Sequence, residues 1–120
     1  IAAGSAPPYT GVVETWDGTS WTEVADLNTA RANFSIFGVQ TSAVGSGGDD
    51  GSTPRYTSCE QWDGTSWTEV ADITGARKMA QSVGTTTAGL MAAGSNPSNN
   101  GMNTSEEWSQ STAAVTFTSS

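Results

Sequence analysis

The chain contains no histidine, one cysteine (Cys59), and only four cationic residues, Arg31, Arg55, Arg77 and Lys78. Without histidine it lacks the commonest general base and the commonest metal ligand. That excludes Ser-His-Asp and Cys-His catalysis, and a copper or zinc site of the usual kind. A single cysteine excludes an intrachain disulfide, and with no histidine to activate it the Cys59 thiol reads as a packed residue of a strand. Twelve carboxylates against four cations leave a net charge of −8. Nothing here could neutralise a run of phosphates, which argues against a nucleic-acid partner. No run of about 18 apolar residues occurs, so no helical membrane insertion is expected.

What is abundant is polar and small: 16 Ser, 18 Thr and 14 Gly, with hydrophobic residues at only 35%. Five Trp and the alternation of Val, Ile and Thr argue against disorder and for short strands joined by Gly, Ser and Asn turns. The string Trp-Asp-Gly-Thr-Ser-Trp-Thr-Glu-Val-Ala-Asp stands at 16–26 and again at 62–72, an offset of 46, and Trp108 follows a further 46 residues on. A fixed period of this size marks a repeat architecture.

Each unit reads in one order. An Arg leads into a short apolar strand, Phe34–Phe37 after Arg31 and Met79–Val83 after Arg77. A small-residue strand ending in glycine follows at Ala43–Gly48 and Gly89–Gly94, and residues 1–4 match it. After a polar loop of variable length comes a strand ending in Trp, at Val12–Trp16, Thr57–Trp62 and Thr104–Trp108. The last strand covers Ser20–Ala25, Ser66–Ala71 and Ala113–Thr118. Between these last two, Asp-Gly-Thr-Ser supplies the side-chain acceptor and the positive-φ position of a tight hairpin. No segment carries apolar residues at helical spacing. The expected fold is therefore all-β, with four antiparallel strands per unit, as in a propeller blade.

The expected division is an incomplete first blade at 1–30, a second at 31–76 and a third at 77–120, all within one domain. Three blades are too few to close a ring. Because the sequence begins in mid-blade, the remaining blades are expected from an upstream part of the same polypeptide rather than from a second copy.

Gly47-Gly48, Trp62, Trp67 and Arg77, with Trp16, Trp21 and Arg31 in the preceding unit, make the repeat resemble a kelch repeat. It departs from kelch in a Trp where Tyr is usual, a shorter hairpin turn, and Gly-Ser at 4–5 and 94–95. The lack of histidine blocks any transfer of the copper oxidase chemistry of some kelch-type propellers. The longer phrase from Glu-Xaa-Trp-Asp-Gly-Thr-Ser-Trp through Asp-Leu-Asn-Thr-Ala-Arg is similar to repeats in tail and fibre proteins of marine tailed phages. That resemblance implies a virion setting, with other virion proteins or further copies of the chain as partners.

Glu14, Glu60 and Glu106 each stand two residues before a Trp, on the same strand face. A glycosidase needs two carboxylates across a cleft, but recurrence in every unit favours a scaffold role, such as bonding to Arg31 and Arg77. Trp16, Trp21, Trp62, Trp67 and Trp108 could stack on sugars, yet the same argument assigns them to packing between blades. Asp49-Asp50-Gly51-Ser52 offers oxygen ligands but not the spaced acidic pattern of a calcium loop, so no metal or cofactor is expected.

The units differ in the loops before each Trp strand, residues 5–11, 48–56 and 95–103. Loops on one rim of a rigid repeat are where binding usually resides. Tyr9, Asp49, Asp50, Arg55, Tyr56, Asn99, Asn100 and Asn103 are the candidate ligand-binding residues, and their rings, amides and guanidinium suit a host-surface glycan. The expectation is a non-enzymatic, receptor-facing module of a phage tail or fibre. The alternative is a secreted or cell-surface bacterial protein that binds carbohydrate or forms filaments.

Overall fold

The Asp-Gly-Thr-Ser hairpin shows how local sequence sets this fold. Asp17 Oδ1 accepts hydrogen bonds from the amides of Thr19 and Ser20, at 2.7 and 2.8 Å. Asp63 Oδ1 does the same for Thr65 and Ser66, at 2.8 Å each. Gly18 and Gly64 take φ of 100° and 96°, a region that strongly favours glycine. The flanking Trp pairs, Trp16 with Trp21 and Trp62 with Trp67, lie directly opposite in register.

The computed structural model describes residues 1–4, 7–52 and 55–110, and the backbone of 115–119. Three antiparallel sheets result. The first orders β1 (Ala2–Ala3), β2 (Val13–Trp16) and β3 (Trp21–Val24). The second orders β4 (Ser35–Val39), β5 (Ser42–Ser46), β6 (Cys59–Trp62) and β7 (Trp67–Val70). The third contains β8 (Gln81–Gly84), β9 (Ala88–Ala92), β10 (Ser105–Gln110) and β11 (Val115–Ser119), again in chain order. There is no helix among the described residues. Of the expected strand Ala113–Thr118, residues 115–118 lie in β11 and 113–114 lie outside the described residues.

Two details differ from the sequence reading. The strand expected from Met79 starts at Gln81 instead, because Met79 takes φ 57° and its amide donates to the carbonyl of Asn33. Asn33 itself takes φ 55°, so the chain makes the same left-handed step before β4. The glycine doublet is also displaced. Gly45 pairs with Glu60 and Met91 with Glu106, so Gly47-Gly48 corresponds to Ala93-Gly94, one residue earlier than the Gly94-Ser95 match. Ala93, at φ 61°, holds a conformation that glycine holds at Gly47, φ 68°.

The sheets stack through two seams. The first gathers Val13, Leu27, Ala43, Trp62 and Trp67, with Ile1, Val24 and Phe34 against them. The second joins Phe37, Val44 and Trp108, with Cys59, Ile73, Ala80 and Met91 in a neighbouring cluster. Burying a side chain such as Ile73 or Met91 contributes about 1.5–3 kcal/mol. Gly89 belongs to this seam, since a Cβ there would lie 2.4 Å from Phe37 Cε2. The leading strands meet through Ser35 Oγ, which donates to the Ala80 carbonyl at 2.7 Å, and Ser82 Oγ, which donates to the Ile36 carbonyl at 3.0 Å. The whole occupies a slab of 38 × 37 × 22 Å.

Candidate recognition site

A buried polar frame holds the loops. Arg31 and Glu60 form an ion pair at 3.2 Å with both side chains almost fully buried. Arg31 also donates to the carbonyls of Gly47 and Ser58, at 3.0 and 2.8 Å. Glu60 completes its shell with the amides of Asn28 and Thr29, in the linker from the preceding sheet, at 2.7 and 3.3 Å. The next seam repeats this: Arg77 pairs with Glu106 at 2.9 Å and donates to the carbonyls of Ala93 and Thr104. Glu106 takes the amides of Thr74 and Gly75. Every charge is thus paired and hydrogen-bonded, as a buried charge must be. Glu14 occupies the matching place on β2 but is exposed.

The tryptophans divide in the same way. Trp62, Trp67 and Trp108 are buried, and their indole N–H groups donate to the carbonyls of Gln40, Ala25 and Thr86. Trp16 and Trp21 remain 41% and 53% exposed, ring against ring at 5.3 Å. Identical sequence did not bring identical burial, because no sheet lies against that face of β2 and β3 among the described residues.

On this frame the variable loops come together. The Tyr9 ring lies against Gly51, where a Cβ would meet Tyr9 Cε2 at 2.5 Å. Arg55, buried, donates to Asp49 Oδ2 at 3.2 Å and to the side-chain oxygen of Asn99. The first loop therefore touches the second, and the second is bonded to the third. Asp49 is the hub: Lys78 pairs with it at 2.9 Å, and Asn33 donates to it at 3.3 Å. Burial opposes its ionisation, but the hydrogen bonds of Lys78 and Asn33 and the charges of Lys78 and Arg55 hold its carboxyl below the usual value.

Asp50 turns elsewhere. Its carboxylate accepts from the hydroxyl and amide of Ser52 and from Tyr56, which lowers its pKa to about 2. The two adjacent carboxylates thus serve separate partners, and no cluster of three potential acidic or thiol metal ligands occurs among the described residues. Burial, and then the Asp50 hydrogen bond, push the Tyr56 phenol up, and the Arg31 guanidinium sits 5.3 Å from its ring centroid. Asn100 and Asn103 are exposed; the Asn100 backbone amide donates to Asn96 Oδ1 at 3.0 Å and its carbonyl accepts from the Asn96 amide at 3.0 Å. Residues 5–6 and 53–54 of the loops lie outside the described residues. Cys59 is fully buried, and burial pushes its thiol up to about 12.

Sequence reasoning missed Asn33 and Lys78. Both sit where the units depart from one another: Lys78 stands at the place of Ala32, and Asn33 at that of Met79. The bridges Ala32 to Asp49 and Lys78 to Ser95 make that correspondence. A position-by-position comparison of units at the 46-residue offset was the available signal.

No protein-family model matches this sequence, and no curated protein matches it. Among solved structures, that of YjhT superposes with a TM-score of 0.74 over 90% of this chain at 14% identity. The chain spans 38% of the length of the YjhT chain. At that identity the likeness is one of fold, and it identifies this all-β stack as an arrangement found within a longer chain.

Proposed function

We propose that the three sheets are consecutive blades of a kelch-like β-propeller. We propose further that this module is a non-enzymatic, receptor-facing part of a phage tail or fibre whose rim loops bind a host-surface glycan. The observation that carries the reading is the junction of the three variable loops, through Tyr9 with Gly51 and Arg55 with Asn99. The half-buried Tyr9 ring offers a flat apolar face and the exposed Asn99 amide, held by the buried Arg55, offers directional hydrogen bonds, the combination a sugar requires. Tyr9 is the better platform, since Arg31 lies over the Tyr56 ring.

Support for the propeller comes from the repeated four-stranded sheets, the contact between leading strands, and the likeness to YjhT. Support for the virion setting is the resemblance of the repeat phrase to phage tail and fibre repeats. In such a setting each loop set binds weakly, and repeated display raises avidity by roughly 10²–10⁴. The alternative, a secreted or cell-surface bacterial carbohydrate-binding or filament-forming protein, would use the same loops.

The test is glycan-array binding of the chain beside Tyr9→Ala and Asn99→Ala variants with unchanged circular dichroism. At least tenfold weaker binding by both variants is expected. Unaltered binding by both, or no glycan bound by the parent, would remove the recognition role. Immunogold labelling of tail structures decides between virion and cell surface.

A further inference from the structure

We propose that Asn100-Gly101, in the third variable loop, is a site of self-modification: the Gly101 amide nitrogen attacks the Asn100 side chain and converts it to a carboxylate. This changes the loop itself and does not depend on what the loop binds.

The fold selects this asparagine from six. Asn28 Nδ2 donates to the Trp67 carbonyl, and Asn33 Nδ2 donates to Asp49. Asn96 Oδ1 accepts from the amides of Ser98 and Asn100, and the Pro97 that follows has no N–H to react. Asn99 is held by Arg55. Asn103 is exposed, but the branched Thr104 after it crowds the approach. Asn100 is left, exposed, followed by glycine, and with a side chain that no other described residue engages.

The attacking atom is free as well. Ser95 and Gly101 face each other in an isolated bridge whose bonds are made by their neighbours, Asn96 to Asn100 at 3.0 Å and Met102 to Gly94 at 2.9 Å. The Gly101 amide therefore points away from that ladder, and its missing side chain leaves open space. Without a Cβ, nothing obstructs ring closure. Asp17-Gly18, Asp50-Gly51 and Asp63-Gly64 have the same spacing and provide the contrast. Each carboxylate there accepts hydrogen bonds from residues two or three places on. Those bonds keep it ionised, and a carboxylate is a poor target for attack.

The step begins when the Gly101 amide gives up its proton. Its nitrogen bonds to Asn100 Cγ, the Cγ–Nδ2 bond breaks, and the departing group takes a proton from solvent and leaves as ammonia. Water then opens the resulting succinimide at either carbonyl carbon, which leaves an aspartyl or an isoaspartyl residue at position 100. One water is consumed, one ammonia is released, and nothing is oxidised. Adding one carboxylate to the twelve takes the net charge from −8 to −9. In the isoaspartyl product the main chain of the loop also lengthens by one carbon.

The test incubates the folded chain at mildly alkaline and mildly acidic pH and maps its peptides by mass spectrometry, scoring isoaspartate separately. Conversion at position 100 is expected, faster in alkali, while the other five asparagines stay intact. Guanidinium chloride should leave the rate at position 100 similar, because no bond to the reacting atoms has to break. Gly101→Ala, whose Cβ would meet nothing within 4 Å, should fold alike by circular dichroism. Its conversion should be slower by roughly tenfold, since the reacting atoms approach less easily. If that variant unfolds, Asn100→Gln replaces it, and its longer side chain should abolish the reaction. Conversion only in the denatured chain, conversion of another asparagine ahead of Asn100, or an undiminished rate in the variant would each overturn the proposal.

Discussion

The first and second sheets contain the same eleven residues, 16–26 and 62–72, in the same hairpin with the same register. In the second, Trp62 and Trp67 are 2% and 6% exposed, and in the first, Trp16 and Trp21 are 41% and 53% exposed. Glu60 is buried between Arg31 and a linker, while Glu14 is exposed. Sequence determines the hairpin in both. What surrounds it determines what each residue is worth, and that distinction can be measured.

The largest effect is expected at the buried charge. Glu60→Gln leaves Arg31 buried without its counter-charge and should cost about 3–5 kcal/mol of unfolding free energy, while Glu14→Gln should change it by no more than about 0.5 kcal/mol. Equal losses in urea titrations would mean that the two glutamates do the same job. Next come the tryptophans. Trp62→Ala should cost about 3–5 kcal/mol through the cavity it leaves, and Trp16→Ala about 1 kcal/mol or less, mainly its ring contact with Trp21.

The turn should erase the contrast. Asp17 and Asp63 make the same bonds, so alanine at either should lower stability, and by equal amounts. A twofold difference would show that the first hairpin is not formed independently of its neighbours.

The smallest effect is in acid. Hydrogen bonds from Ser20 and Thr19 lower the pKa of Asp17, those from Ser66 and Thr65 lower that of Asp63, and Ser52 brings Asp50 to about 2. A carboxyl whose pKa is depressed by folding stabilises the folded state above its unfolded value and loses that contribution as pH falls through the folded value. Melting temperature should therefore decline from about pH 3.8 toward about pH 2, and the decline should shrink in an Asp17→Ala/Asp63→Ala double variant. An unchanged decline would place the acid-sensitive groups elsewhere.

Much of the fold was legible because the repeat reports each strand more than once. The hairpins could be read from Asp, Gly and the flanking Trp alone. The start of β8 could not, since Met79 follows a strand-like pattern while its backbone turns left-handed against Asn33. The glycine match failed for a related reason: Ala93 holds a glycine-like φ, so residue type pointed to the wrong register. In the loops, Asp49, Arg55 and Asn99 stood out as polar positions that differ between units, although Asp49 and Arg55 are buried. Their union did not, because it depends on Lys78 and Asn99 arriving from the next unit. Nor could a repeated string reveal that Trp16 and Trp62 have different neighbours.

The fastening between sheets is measured in constant chain intervals. Arg31 to Glu60 and Arg77 to Glu106 each span 29 residues, and Asn28 to Glu60 and Thr74 to Glu106 each span 32. A gene duplication that copies one whole 46-residue period therefore copies its own lock and key. Each joint thus inherits working parts, while the loops, which differ between periods, add fastenings of their own such as Arg55 to Asn99 and Lys78 to Asp49.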